Sequence, residues 1–224
     1  MKAQVVLFDF DMTLADSVEA ITYCFNRVAE DKGLPAVTSQ EVGATIGLPF
    51  TEACLRLWGR GDPELLAWYG EHYREDEFAR MKLFPDAPGV LTRLRHEGVR
   101  TGVVTNRRYA RRVVERVGIL PLCDVVVGLE EGLRGKPEPD LLLRALEALS
   151  CSPEGAWYVG DTDGDMRAAR AAGMGALGIA QGAFGPRELE EAGAHGVVSS
   201  LPAILTYLGL SSSAKVPPGT DDRR

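Results

Sequence analysis

The sequence predicts an α/β architecture: a parallel sheet flanked by helices, with a helical segment inserted after the first strand. Three observations lead there. From residue 86 to residue 208, short apolar runs alternate with segments of helical period. Runs such as Val125-Val126-Val127 and Trp157-Tyr158-Val159 are apolar throughout, as expected for strands covered on both faces. Between the first run, Val5-Val6-Leu7-Phe8, and the next strand-like run near residue 99, the pattern is helical only.

The elements follow in order. The first run is rich in β-branched and aromatic residues and ends in Asp9-Phe10-Asp11. Residues 18–32 place Val18, Ile21, Tyr23, Phe25 and Val28 in a mainly helical pattern, closed by Gly33 and Pro35. Residues 39–46, 50–58 and 63–80 read as further helices. They are separated by Gly47-Leu48-Pro49 and by Gly59-Arg60-Gly61-Asp62-Pro63. Residues 16–82 therefore form a helical insertion, leaving 1–15 and 83–210 as the core domain. The core continues as helix 86–97, strand 99–105, helix 107–117, strand 124–128, helix 138–149, strand 156–161 and helix 163–173. A strand at 175–180, a helix at 186–193, a short strand at 196–198 and a helix at 201–208 complete it. Strands alternating with helices imply right-handed parallel crossovers. The Pro/Gly-rich polar stretch from Ser211 to Arg224 is expected to be disordered.

Composition narrows the function. With 224 residues and 45% apolar content, the chain supports a full core. No segment approaches the ~20 apolar residues of a membrane span, and the start of the chain lacks a signal-peptide pattern, so a cytoplasmic protein is expected. The four cysteines are far apart and form no CxxC, which argues against a zinc site or a disulfide framework. A formal net charge of −7 disfavours nucleic-acid or anionic-membrane partners. The basic run Arg107-Arg108-Tyr109-Ala110-Arg111-Arg112 is the exception and is read as a solvated helix face. Its alternative is that Arg107 or Arg108 lies near an anion pocket.

Two carboxylates one residue apart, Asp9 and Asp11, would be unfavourable if buried without partners. At the carboxyl end of a strand in an open α/β sheet they sit where ligands bind. There they suggest a hard cation, Mg²⁺. Three other segments also end strand-like runs: Val103-Val104-Thr105-Asn106, Gly135-Lys136-Pro137 and Gly160-Asp161-Thr162-Asp163-Gly164-Asp165. In a parallel sheet such ends share one edge, so the segments can converge on one pocket.

Together, Asp-x-Asp-x-Thr and these three segments resemble the motifs of the haloacid dehalogenase-like hydrolases, over roughly residues 4–208. The resemblance implies a Rossmann-like core and a helical cap of the C1 type. It also implies Mg²⁺-dependent phosphoryl transfer on a small phosphorylated metabolite. Phosphate monoester hydrolysis needs accelerations of up to ~10²¹-fold. One general acid or base contributes only ~10²–10⁴, so metal, nucleophile, charge neutralisation and acid must act together. Asp9 suits the nucleophile, forming an aspartyl-phosphate. Asp11 suits the general acid and then base, since residues i and i+2 of extended backbone face one side. Thr105, with backbone N–H groups around Asn106, can hold phosphate oxygens. Lys136 can neutralise phosphate charge and orient Asp9. By resemblance, Asp9, the Asp11 backbone carbonyl and Asp161 ligate Mg²⁺, and Asp165 ligates it directly or through water. Asp163 is read as the N-cap of the next helix.

Within the family, Asp11 argues against a dehalogenase, and Thr13-Leu14-x-Asp16-Ser17 resembles the phosphoglycolate phosphatase branch. Met12 departs from that branch, which usually carries Gly. The segment Thr45 to Phe50, centred on Gly47, resembles the cap loop that faces the active site in relatives. 2-Phosphoglycolate is the expected substrate. A β-phosphoglucomutase-like mutase and an inorganic pyrophosphatase are the enzymatic alternatives. A phosphorylation-switched receiver-like module is the non-enzymatic one, disfavoured because receivers carry the phosphoacceptor on a later strand and lack the insertion. A monomer or homodimer is expected.

Overall fold

Strand β1 (Val5–Phe8) is buried along its whole length. Its side chains divide by the two-residue period of extended backbone: Val6 and Phe8 pack into one apolar cluster, Val5 and Leu7 into another. The sheet is therefore covered on both faces. The computed structural model describes residues 3–130 and 132–210, and the tail expected to be disordered, 211–224, lies outside the described residues.

Five more parallel strands complete the main sheet: β4 (Arg100–Val104), β5 (Val125–Val127), β6 (Ala156–Gly160), β7 (Gly175–Ile179) and β8 (Gly196–Val198), in the order β5-β4-β1-β6-β7-β8. Helices α6 (Ala87–His96), α7 (Ala110–Arg116) and α11 (Leu201–Tyr207) cover one face. Helices α8 (Asp140–Ala148), α9 (Asp163–Ala171) and α10 (Pro186–Glu191) cover the other. The strand order reverses at β1, the place where open α/β sheets form a ligand crevice.

Between β1 and β4 lie α1 (Val18–Lys32), α2 (Ser39–Gly43), α3 (Phe50–Trp58), α4 (Pro63–His72) and α5 (Arg74–Arg80). Helices α1 to α4 build an apolar cluster of their own around Phe25, Val28, Leu65 and Tyr69. Phe25 meets Phe50 and Tyr69 edge-on, with ring centroids 5.5 and 5.8 Å apart. Several features differ from expectation: the helix expected over 39–46 ends at Gly43, and the one expected from 107 starts at Ala110. The helix expected over 63–80 breaks at Tyr73, where φ is −124°. Two-residue strands β2 (Ala15–Asp16) and β3 (Lys82–Leu83) also pair antiparallel where the chain leaves and re-enters the core. Among the described residues, no helix is long and apolar enough to cross a membrane.

Candidate active site

Strand register brings the sequence-predicted residues to one level. Phe8 of β1 lies opposite Val103 of β4 and Val159 of β6. Asp9 follows Phe8 directly, and Thr105 and Asp161 stand two residues beyond those partners. All three are buried at the carboxyl edge of the sheet. Main-chain bonds hold the level: Asp9 N–H donates to the Val159 carbonyl at 2.8 Å, and Thr105 N–H to Val127 at 3.0 Å.

Lys136 reaches this edge from the loop before α8. Its ammonium lies 2.7 Å from Asp9 Oδ1 and 2.6 Å from Asp165 Oδ1, and donates to the Tyr158 hydroxyl at 2.9 Å. The Asp9 contact is an ion pair without hydrogen-bond alignment. Tyr158 OH donates in turn to the Val104 carbonyl at 2.7 Å. Burial alone would push the lysine down, but Asp165 and Asp9 outweigh it and hold the ammonium above its ordinary value. Burial raises the Asp9 carboxyl from 3.8 to about 7. Lys136 opposes that rise, while Asp165 and Asp11 add to it. Burial, then Asp165 and Asp9, also raise Asp161 well above the carboxylate range.

Those shifts describe a charge deficit. Asp9, Asp161 and Asp165 each offer a carboxylate oxygen, all within 4.8 Å of one another. One lysine cannot balance three buried carboxylates. An all-oxygen set this tight fits a hard divalent cation such as Mg²⁺. Asp9 Oδ1 has no hydrogen-bond partner, which leaves a lone pair for the ion. Asp161 Oδ1 is oriented by the Thr13 hydroxyl at 2.9 Å. Both Asp165 oxygens are engaged: Oδ1 by Lys136, and Oδ2 by the Thr162 N–H at 3.0 Å and the Thr162 hydroxyl at 2.7 Å. The Asp11 side chain stands outside this set.

Other expected residues have defined places. Gly47 reaches the core: Asn106 Nδ2 donates to its carbonyl at 2.9 Å. Its φ of +92° suits glycine, and a Cβ there would come within 3.1 Å of Thr162 Cγ2. Asn106 also donates to the Lys136 carbonyl at 3.1 Å and accepts from the Lys136 N–H at 2.7 Å. Its side chain thus ties two loops together, leaving only its backbone for phosphate. Asp163 is not the N-cap of α9. Thr162 takes that role in a capping box with Asp165, and Asp163 pairs with Arg167 at 2.9 Å one turn on. Met12 adopts φ +54°, the left-handed conformation that glycine occupies without strain.

The basic run requires a correction. α7 begins only at Ala110, because Tyr109 takes φ +59° and precedes the helix. Arg108, Arg111 and Arg112 are exposed, as expected of a solvated face. Arg107 instead turns into the site, with its side chain 14% exposed. Its Nε and Nη2 donate to the two oxygens of Asp11, each at 2.6 Å, and Nη1 pairs with Glu77 of α5. Glu77 also accepts from the Tyr69 hydroxyl. One signal was available: four acids converging on one edge with a single lysine call for another cation, and the basic run starts two residues after Thr105. Glu77 gave no such signal. A cavity of about 240 Å³ opens between the sheet edge and the helical insertion. Asp9, Asp11, Thr105, Lys136 and Arg107 line its floor, and the segment Thr45 to Thr51 lines its side. It is suited to a small ligand.

Comparison with known proteins places the chain by family and fold. Residues 6–179 match the family described as haloacid dehalogenase-like hydrolase. A protein of Caldanaerobacter subterraneus subsp. tengcongensis provisionally named pyrophosphatase PpaX is 35% identical over 184 residues, covering 80% of this chain and 82% of that one. The phosphoglycolate phosphatase of Cereibacter sphaeroides is 33% identical over 179 residues, covering 75% and 81%. The crystal structure of a Bacteroides fragilis protein, provisionally assigned as a haloacid dehalogenase-like hydrolase, superposes with a TM-score of 0.82 at 31% identity. It covers 91% of this chain and all of that one.

Proposed function

The chain belongs to the haloacid dehalogenase-like hydrolases and is a phosphatase of that family; on that premise we propose that it hydrolyses a small phosphorylated metabolite, of the 2-phosphoglycolate type, with Mg²⁺ and through an aspartyl-phosphate on Asp9. The observation that carries the reading is the buried trio of Asp9, Asp161 and Asp165, two of them paired with the Lys136 ammonium, with Asp9 and Lys136 on the floor of a small cavity.

Asp9 Oδ attacks phosphorus and the bond to the ester oxygen breaks. Asp11 supplies the proton that the leaving alkoxide takes up. Lys136 and the Thr105 hydroxyl hold phosphoryl oxygens. Water then attacks the aspartyl-phosphate, Asp11 accepts its proton, and phosphate leaves with Asp9 regenerated. Asp9, Asp161 and the Asp11 carbonyl would hold Mg²⁺, with Asp165 directly or through water, and the ion would supply neutralisation of phosphoryl charge. Residues 16–82 act as a cap that excludes water and reads the leaving group, and 1–15 with 83–210 form the catalytic core. The protein works in the cytoplasm as a monomer or homodimer.

Membership of an enzyme family removes the receiver-like alternative. Pyrophosphate remains a second substrate reading, favoured by the 35% identity to the Caldanaerobacter protein. The test is phosphate release, with and without Mg²⁺, from 2-phosphoglycolate, pyrophosphate, hexose phosphates and nucleotides. Mg²⁺-dependent release with 2-phosphoglycolate preferred is the expected result. Preference for pyrophosphate would select the second reading. Failure of every ester, with turnover of β-glucose 1-phosphate to the 6-phosphate, would replace both with the mutase.

A further inference from the structure

Asp11 cannot serve a leaving group in the arrangement described above. Both of its oxygens accept from the Arg107 guanidinium, Oδ2 from Nε and Oδ1 from Nη2 at 2.6 Å each, so neither faces a departing ester oxygen. This fork-to-fork pairing is the geometry in which a guanidinium binds carboxylate or phosphate. The remaining terminal nitrogen holds Glu77, which belongs to the helical insertion, and Tyr69 of α4 donates to that same carboxylate. Arg107 is thus a joint between core and insertion, and it lines the cavity beside Asp9 and Lys136.

We propose that Arg107 is the specificity and positioning residue for the leaving group, selecting substrates whose leaving group carries its own carboxylate or phosphate. The inference rests on the phosphatase reading above. An anionic leaving group takes the place of Asp11 on the guanidinium fork. One anion exchanges for another, Glu77 keeps its place, and Asp11 is released toward the ester oxygen. A neutral leaving group offers no such exchange, so freeing Asp11 means breaking a bidentate, largely buried ion pair without compensation. Arrival of the correct substrate frees the Asp11 carboxylate, which takes up a proton from water before serving the leaving group as general acid.

The experiment compares wild type, Arg107→Gln and Arg107→Lys on three Mg²⁺-supplemented substrates: 2-phosphoglycolate, pyrophosphate and ethyl phosphate. Losing a charged hydrogen-bond partner corresponds to a factor of roughly 10–100. In Arg107→Gln, kcat/KM for the preferred anionic substrate should fall by that factor relative to ethyl phosphate, mainly through KM. Arg107→Lys, with charge but no fork, should recover part of the ratio. The arm with the larger relative loss identifies carboxylate or phosphate as the anion. If Arg107→Gln lowers all three substrates equally, the guanidinium only supports the fold and the proposal fails while the phosphatase stands. If Arg107→Gln does not fold, an unchanged selectivity ratio in Arg107→Lys overturns the proposal. If wild type releases phosphate from none of the three, the proposal and the reading beneath it both fall.

Discussion

Replacing Lys136 with methionine tests the charge balance at the sheet edge most severely. The ammonium sits 2.7 Å from Asp9 Oδ1 and 2.6 Å from Asp165 Oδ1, with both partners and the lysine itself 3% exposed or less. At an effective dielectric of about 20, each contact is worth about 6 kcal/mol of gross Coulomb attraction. Desolvation of the ions offsets most of it, several kcal/mol for each ion. Removing one partner of such a pair still costs about 3–5 kcal/mol, because the remaining carboxylates stay buried without a counter-charge. For a chain of this size each kcal/mol moves Tm by about 2–4 °C. Lys136→Met should therefore lower Tm by about 6–20 °C in EDTA, measured by circular dichroism or calorimetry. Added Mg²⁺ should recover more stability in the variant than in wild type, since the ion replaces the lost charge. An unchanged Tm in EDTA would refute the reasoning, showing that the carboxylates are not held by this ion pair.

Other outcomes follow from the same structure. Met12→Gly removes a left-handed strain of about 1–2 kcal/mol while adding about 0.5–1 kcal/mol of chain entropy. Thermal unfolding should show equal stability or a gain of up to about 1.5 kcal/mol, and a clear loss would mean that the Met12 side chain contributes more packing than its backbone costs. The Asp9 carboxyl is raised in the folded protein from 3.8 to about 7, so between those values the folded state binds the proton more tightly. Its stabilisation is present in full below about pH 3.8 and is lost as pH rises through about 7. In metal-free protein, the stability of wild type relative to Asp9→Asn should fall across that window. A constant difference from pH 4 to pH 7.5 would contradict the raised value. Asp11→Asn should slow turnover by about 10²–10⁴-fold, the usual contribution of a general acid and base. Steady-state kinetics at the wild-type rate would end that assignment.

The parts of the site that were legible in the sequence are those whose signal is local. Asp9, Thr105 and Asp161 each terminate an apolar run, and a polar residue at that point marks the edge of a buried strand. Helices α1 and α3 have the predicted bounds, since their apolar spacing and the left-handed Gly33 and Gly59 that close them lie within the segment. The run itself does not decide between solvent and pocket for Arg107, because its place depends on distant partners: Asp11 is 96 residues away and Glu77 is 30. A run of arginines looks the same from within the run whether one of them faces solvent or a carboxylate. Helical period also continues smoothly through Tyr73, whose hydroxyl bonds Asp31 of α1, so the break between α4 and α5 had no local mark. Strands β2 and β3 are two residues each, too short for a period to register.

The central claim is that Asp9 attacks phosphorus. It is met most directly by quenching wild-type enzyme in acid during turnover of the preferred ester with Mg²⁺ and sequencing its peptides by mass spectrometry. The account predicts one added phosphoryl group on the peptide containing Asp9, located at Asp9 and absent from Asp9→Asn. Full turnover in Asp9→Asn, or a phosphoryl group trapped on another residue, would contradict it.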